Sequence, residues 1–283
     1  MQVNTALKLK GPCVALFSLS TLLISQIVLW QASAQADDLA KASQNPIGDM
    51  VSLPVEVWHY SGMPKGTDAN LFLLKPVYPV SVGSLNLINR LIVPYVDLNG
   101  PEEDVDLGSV EIPKDSGRDG WGNIQYQAFF TPAQPGKVIL GLGPVFEFPT
   151  HTEGLGSDKW SAGLGAVALT MPGNWVLGAL VQNLWSYAGP DDARSVNKMT
   201  FQYFINYNLE KGWYLTSTPI ITANWETDSD NRWTVPVGGG FGRLMKFGQQ
   251  PVDFKVQAFS NVESPERGPD WSAMFAVKLL FPK

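Results

Sequence analysis

The sequence predicts an all-β chain, a closed antiparallel up-and-down transmembrane β-barrel of about twelve strands behind a cleaved N-terminal signal peptide. Three observations predict it. The chain opens on a secretory leader, apolar residues beyond the leader recur at every second position, and the connections between those segments alternate between long and short.

In the leader, Lys8 and Lys10 precede an apolar run from Cys13 to Trp30, which is followed by Ala32, Ser33 and Ala34. A basic start, an apolar stretch and a small-residue cleavage site define a signal peptide. Cleavage after Ala34 divides the chain into a signal peptide (1–34), a periplasmic N-terminal segment (35–50) and an outer-membrane β-barrel (51–283). Cys13 is the single cysteine and leaves with the leader, so the mature chain has no disulfide and no thiolate metal site. Neither a metal nor a cofactor is expected. The formal net charge of −6 becomes more negative once Lys8 and Lys10 are gone, and no basic patch gathers, which argues against a nucleic-acid partner. Past the leader no apolar stretch approaches the roughly 18 residues of a helical span. Transmembrane strands escape such a scan because their lipid-facing and lumen-facing residues alternate.

The segment from Asp38 to Gln44 carries good helix formers. It is expected to form a short periplasmic helix that enters the lumen as a plug, or else a mobile N-terminus. Beyond it the period is two. Trp271, Ala273, Phe275, Val277, Leu279 and Phe281 alternate with residues that include Ser272 and Lys278. Val252, Phe254, Val256 and Ala258 alternate with Asp253, Lys255 and Gln257, and Met199, Phe201, Tyr203, Ile205 and Tyr207 with Thr200, Gln202, Asn206 and Asn208. Strands are expected at 51–60, 70–80, 84–97, 119–131, 137–149, 158–171, 174–186, 197–209, 212–226, 231–247, 251–262 and 270–281. Long polar connections then alternate with short turns rich in proline and glycine, such as Met171-Pro-Gly-Asn174. Outer-membrane barrels show this alternation of outward loops and periplasmic turns, whereas a soluble sandwich gives no reason for it. Pro76, Pro79, Pro94, Pro144 and Pro219 interrupt strands and are expected at strand ends or bulges.

Every tryptophan after the leader falls at a strand end: Trp58, Trp121, Trp160, Trp175, Trp185, Trp213, Trp225, Trp233 and Trp271. Aromatic girdles at two membrane interfaces place tryptophan this way.

Asn45-Pro-Ile-Gly-Asp-Met-Val-Ser-Leu-Pro54, Gly141-Leu-Gly-Pro144, Tyr207-Asn-Leu-Glu-Lys-Gly-Trp-Tyr-Leu-Thr216, Ile221-Thr-Ala-Asn-Trp225, Asn231-Arg-Trp-Thr-Val-Pro-Val-Gly-Gly-Gly240 and Gly268-Pro-Asp-Trp271 occur in that order. Together they resemble the bacterial outer-membrane family called "MetA-pathway of phenol degradation", whose members are also labelled transporters or neuromedin U. The resemblance runs from about Leu39 to Lys283 and implies an outer-membrane barrel passing small, often hydrophobic compounds, with no defined substrate and no catalytic residue. This chain departs from the usual outer-membrane ending by closing on Phe281-Pro-Lys283.

Polar members of the alternating strands are the candidates for the lumen: Gln125, Gln127, Gln202, Asn206, Asp253, Lys255, Gln257 and Lys278, with Arg90 in a less regular segment. Opposite charges there either tune selectivity or hydrogen-bond across the barrel and close it. Asp104 with Asp106, and Asp228 with Asp230, lack the glycine and glutamate of a calcium loop. The acidic stretch Glu102, Glu103, Asp104, Asp106 and Glu111 reads as a solvated outward loop. Gly238, Gly239, Gly240 and Gly242 lack a P-loop lysine and a following helix and fit a bend or a close backbone approach.

The expected function is an outer-membrane channel or transporter for small, hydrophobic or aromatic molecules. It would have outer-membrane lipid, the barrel-assembly machinery and a small-molecule solute as partners. The alternatives are a non-conducting structural or adhesion barrel and, third, an outer-membrane lipid hydrolase. The hydrolase would need His59 or His151 beside a serine and an acidic or amide partner.

Overall fold

A strand in hydrocarbon has no partner for its backbone amides except another strand, so a sheet that crosses a membrane has to close on itself. The computed structural model describes residues 38–100, 104–108, 111–112 and 118–282. The segment expected to be a signal peptide (1–34) and residues Glu102 and Glu103 lie outside the described residues. The strands are β1 (Val51–Ser61), β2 (Asp68–Leu74), β3 (Val77–Val82), β4 (Leu85–Asn99), β5 (Val105–Asp106), β6 (Glu111–Ile112), β7 (Asp119–Trp121), β8 (Ile124–Pro132) and β9 (Val138–Phe148). They continue with β10 (Trp160–Thr170), β11 (Trp175–Ala188), β12 (Asn197–Asn208), β13 (Trp213–Ser217), β14 (Ile220–Asn224), β15 (Trp233–Phe247), β16 (Gln250–Glu263) and β17 (Trp271–Phe281). β5 and β6 pair as a separate hairpin, and the other strands form one fifteen-stranded sheet. Three staves are each broken in two, β2 with β3, β7 with β8 and β13 with β14, so the barrel has twelve staves.

Closure is made by β1 on β17, in register from Val51↔Phe281 to Ser61↔Trp271. On the far side β11 pairs with β12 from Trp175↔Tyr207 to Trp185↔Asn197. Pro76 and Pro219 fall in two of the breaks. At the first, Lys75 N donates to Pro54 O (2.9 Å) and Leu91 N to Pro76 O (3.1 Å), which carries the ladder past the proline. At the second, Thr218 N takes the side-chain oxygen of Gln257 at 3.0 Å.

Pro79, Pro94 and Pro144 lie inside β3, β4 and β9, away from the strand ends where they were expected. Each sits where an amide is dispensable. Below Ser52↔Val77, β3 has β4 as its neighbour but no longer β1. Pro94 stands opposite the break between β7 and β8, where its carbonyl accepts from Gly122 N at 3.0 Å. The ladder beside Pro144 is interrupted between Gln127↔Val145 and Phe130↔Leu142.

The two faces divide the residues by parity, as the pleat requires. On β9 and β10, Leu140, Leu142 and Leu164 point outward, Leu142 being 61% exposed, while Val145 and Val167 are buried inside. Apolar side chains left open on the outer face are what lipid contact needs. Seven tryptophans, Trp121, Trp160, Trp175, Trp185, Trp213, Trp225 and Trp271, stand on this outer face at strand ends, and Trp233 packs edge-on against Trp225. Trp58 departs from that set. It is 5% exposed, stacks between Tyr60 and Phe259, and donates Nε1 to Glu56 Oε2 at 3.0 Å. Val55 and Val57 take the lipid side of β1, which leaves Trp58 on the face it shares with Glu56.

The connection after β4 also departs from expectation. Its described residues do not all stand out in solvent: Val105, Leu107 and Ile112 are buried in an apolar cluster with Trp58, Val96 and Leu155. Gly108 lies so close to Thr222 and Thr234 of the opposite wall that a Cβ there would meet their hydroxyls at 2.7 and 3.0 Å. Asp106 N donates to Arg267 O (3.1 Å), and the Arg267 guanidinium donates back to Asp104 Oδ2 (2.5 Å), joining this loop to the one before β17. Apolar spacing within an acidic sequence folds residues 105–108 and 112 into the barrel mouth.

At the end that carries the short turns, residues 38–43 are helical. Ala40 packs on Leu244 and Leu280, and Ile47 joins Ile88, Phe129 and Phe204 inside the barrel. Lys41 Nζ donates to Gly173 O, and Gln44 and Asn208 exchange side-chain hydrogen bonds of 2.8 and 3.2 Å.

Placing a cation on the lipid face should be costly. Leu142→Arg is expected to lower stability in lipid vesicles by about 2–4 kcal/mol, measured by reversible denaturant unfolding followed through tryptophan fluorescence. Unchanged stability would show that Leu142 does not face hydrocarbon.

Candidate functional site

The interior has three levels. Residues 38–50 and the apolar side chains around Ile47 fill the short-turn end. A belt of charged side chains crosses the middle, and above it a cavity of about 1090 Å³ extends to the long loops. No residue of 38–50 lines that cavity.

The belt holds two clusters. In the first, Glu56 of β1 receives Lys75 Nζ at 2.7 Å and Trp58 Nε1 at 3.0 Å. The break at Lys75-Pro76 ends β2, and Lys75 continues the inward face of Leu71 and Leu73. Arg90, in register with Val77 of β3 and Gln127 of β8, stands beside them on β4. Its Nη1 is buried and has no hydrogen-bond partner among the described residues.

In the second cluster, Asp253 accepts from Tyr214 OH (2.8 Å) and from Ser43 Oγ (3.4 Å). Lys278, directly across the β16–β17 ladder, donates Nζ to Ser43 O at 2.7 Å. Lys255, next on the inward face of β16, interacts electrostatically with both Glu56 and Asp253. The acid, the phenol and the lysine thus hold the N-terminal segment against the wall. Charges taken from bulk water need such partners.

The glycine run of β15 makes the second cluster possible. Tyr214 on β13 reaches Asp253 on β16 by lying across β15 at Gly242, where a Cβ would meet the ring Cζ at 2.2 Å. Gln257 reaches Thr218 over the same strand, accepting from Thr218 N and donating to Thr218 Oγ1 at 2.8 Å. Absent side chains on β15 leave room for two bridges that skip a strand.

The other lumen candidates divide between the cavity wall and the packed interior. Gln125, Gln127 and Gln202 line the cavity with Arg90. Gln127 Nε2 donates to Gln125 Oε1 (2.7 Å) and Gln182 Oε1 (2.8 Å), and Gln125 Nε2 approaches Glu147 at 3.4 Å. Gln202 Nε2 donates to Thr218 O (3.1 Å), while Asn206 is buried below the cavity. Glu56, Lys75, Tyr214 and Gln182 were not singled out in the sequence. The signal for Glu56 was an acid set between Val55 and Val57. Lys75 and Tyr214 gave none, since register alone brings them to their partners.

His59 Nδ1 lies 3.0 Å from Asn70 Oδ1 and its ring packs on Trp271. His151 stands between Asn123 (2.9 Å) and Asp158 (3.3 Å). Among the described residues neither has a serine hydroxyl as hydrogen-bond partner. No group of side chains suited to a metal occurs among the described residues.

A closed sheet with an apolar exterior, tryptophans at its rims and a hydrophilic interior cavity defines the class of transmembrane β-barrels. The chain belongs to the family described as "Putative MetA-pathway of phenol degradation", whose model matches residues 59–275. No curated protein matches it. Among solved structures, an outer membrane channel from Pseudomonas putida F1 has a TM-score of 0.57 at 15% identity, covering 82% of this chain and 96% of that one, and so shares the fold. The CymD monoaromatic hydrocarbon channel follows at 0.43 and 10% identity, covering 87% and 91%. The Pseudomonas putida toluene transporter TodX follows at 0.35 and 9% identity, covering 83% and 89%.

Gly242→Ala is expected to push Tyr214 off Asp253 and to destabilise the barrel by about 1–3 kcal/mol, measured by the same unfolding assay. In a Tyr214→Phe background the hydrogen bond is already gone, so the glycine substitution should cost less there. Equal costs in both backgrounds would detach the glycine from the bridge.

Proposed function

We propose that this chain is an outer-membrane channel for small, partly apolar molecules, with the long loops outward and the short turns and both termini toward the periplasm. The observation that carries the proposal is the cavity of about 1090 Å³, enclosed by a membrane barrel and walled by both apolar and polar side chains. Its size suits a compact organic solute, and the family description names phenol degradation. Outer-membrane lipid, the barrel-assembly machinery and the solute are its partners, and no chemistry is assigned to the chain.

The segment 38–50 acts as a plug in this proposal. It closes the short-turn end through the apolar contacts of Ile47 and the Ser43 links to Asp253 and Lys278. The same segment supports the second reading, a non-conducting structural barrel, if it never leaves.

Removing 38–50 while keeping the leader separates the two. Conductance across planar bilayers should rise several-fold over that of the full mature chain, and vesicles should swell faster in small neutral solutes. A folded truncation that conducts no better than the full chain would refute the plug, and silence from both would favour the structural barrel.

A further inference from the structure

The floor of the cavity carries more positive charge than its own carboxylates answer. Within the belt, Glu56 and Asp253 face Lys75, Arg90, Lys255 and Lys278. Asp253 is taken by Tyr214, Ser43 and Lys278, and Glu56 by Lys75 and Trp58. Arg90 is left with the field of Glu56, and its Nη1, sealed from water, has no hydrogen-bond partner among the described residues. A guanidinium has five donors in a rigid fork, and leaving them unanswered in a desolvated place is unfavourable.

The groups above this cation have a definite order. Going up β2 from Lys75, the inward residues are Leu73 and Leu71; going up β4 from Arg90 they are Ile92 and Pro94. On two neighbouring staves, therefore, a basic floor is surmounted by an apolar strip, and the amides of Gln125 and Gln127 flank it on the next stave. A molecule that fits has an apolar body against the strip and one anionic group at its lower end. Because Nη1 is sealed, only the other guanidinium nitrogens can meet a solute, and a planar carboxylate suits them better than a spherical ion because guanidinium and carboxylate form two parallel bonds. The acids at the mouth, such as Asp192, Glu226 and Glu266, are exposed and lie in water where salt screens them. Glu147, buried on the cavity wall in register with Gln125, adds a third carboxylate above the belt, and the four cations still outnumber the three acids.

We propose that Arg90, with Lys75 beside it, forms a carboxylate-binding subsite at the cavity floor. The subsite selects compact apolar or aromatic monocarboxylates from neutral molecules of the same shape. The proposal rests on the channel reading and narrows it to a substrate class.

The test uses the full mature protein with benzoate and its neutral isostere benzamide. Affinities are read from quenching of tryptophan fluorescence and permeation from swelling of proteoliposomes. Benzoate should bind at least tenfold more tightly than benzamide, and Arg90→Gln should bring the two affinities together. Arg90→Lys should retain part of the preference. Equal binding of the two probes by the wild-type protein, binding of neither, or a preference that survives in folded Arg90→Gln would each overturn the subsite. The wild-type comparison decides even if the variant does not fold. Permeation of benzamide without any benzoate preference would sink the subsite and spare the channel; preferential binding of benzoate without permeation of either would do the reverse.

Discussion

Unpaired backbone amides cannot be left in hydrocarbon, and the rest of the structure follows from that constraint. Because β1 must meet β17, the register of that seam fixes which residues face inward on both strands. Trp58 and Glu56 enter the lumen on one side of it and Met274 and Lys278 on the other. Closure also explains the treatment of proline. Pro79, Pro94 and Pro144 stand where the ladder on one side is interrupted, and beside Pro219 the side chain of Gln257 stands in for the missing strand partner.

Closing the ladder forces polar groups into a narrow interior, where they must find one another. The belt between the cavity and the N-terminal segment is the result. Two carboxylates, four cations and a phenol meet there because six different strands or strand breaks deliver one or two residues each at the same height. Paired charges in such a place add little net stability, but removing one member leaves the other stranded. The N-terminal segment is bound by the same economy of partners: Ser43 offers a hydroxyl to Asp253 and a carbonyl to Lys278, so its docking completes the belt.

Much of this architecture was legible in the sequence because closure imposes simple periodic rules. Parity, loop alternation and tryptophan at strand ends are all one-dimensional signals, and they place the twelve staves to within a few residues. What was not legible depends on register between distant strands. Glu56 and Lys75 meet only because β1 and β2 are paired from Val55↔Leu74 onward. Tyr214 and Asp253 meet only because an intervening strand lacks side chains. The inward turn of Trp58 was hidden because a tryptophan near a strand end suits a rim, although Glu56 on the same face between Val55 and Val57 gave the direction. The inward fold of the loop after β4 was hidden by its acids, although Val105, Leu107 and Ile112 were already spaced as a buried surface would need.

Glycine in β15 is where the fold and the interior depend on each other most directly. Within a strand, glycine gives up packing and conformational stability, and the sequence places Gly238, Gly239, Gly240 and Gly242 close together in a central stave. The loss is offset because inward-facing gaps at Gly238, Gly240 and Gly242 let side chains pass from β13 to β16 and back. Without the gaps, Tyr214 could not reach Asp253, and that carboxylate would keep the charges of Lys278 and Lys255 and the long contact with Ser43 Oγ, whose proton is shared with Ala40 O. Nor could Gln257 satisfy Thr218, and the break at Pro219 would leave an orphaned amide inside a membrane barrel. A stave with full side chains would make a firmer local ladder and a weaker barrel.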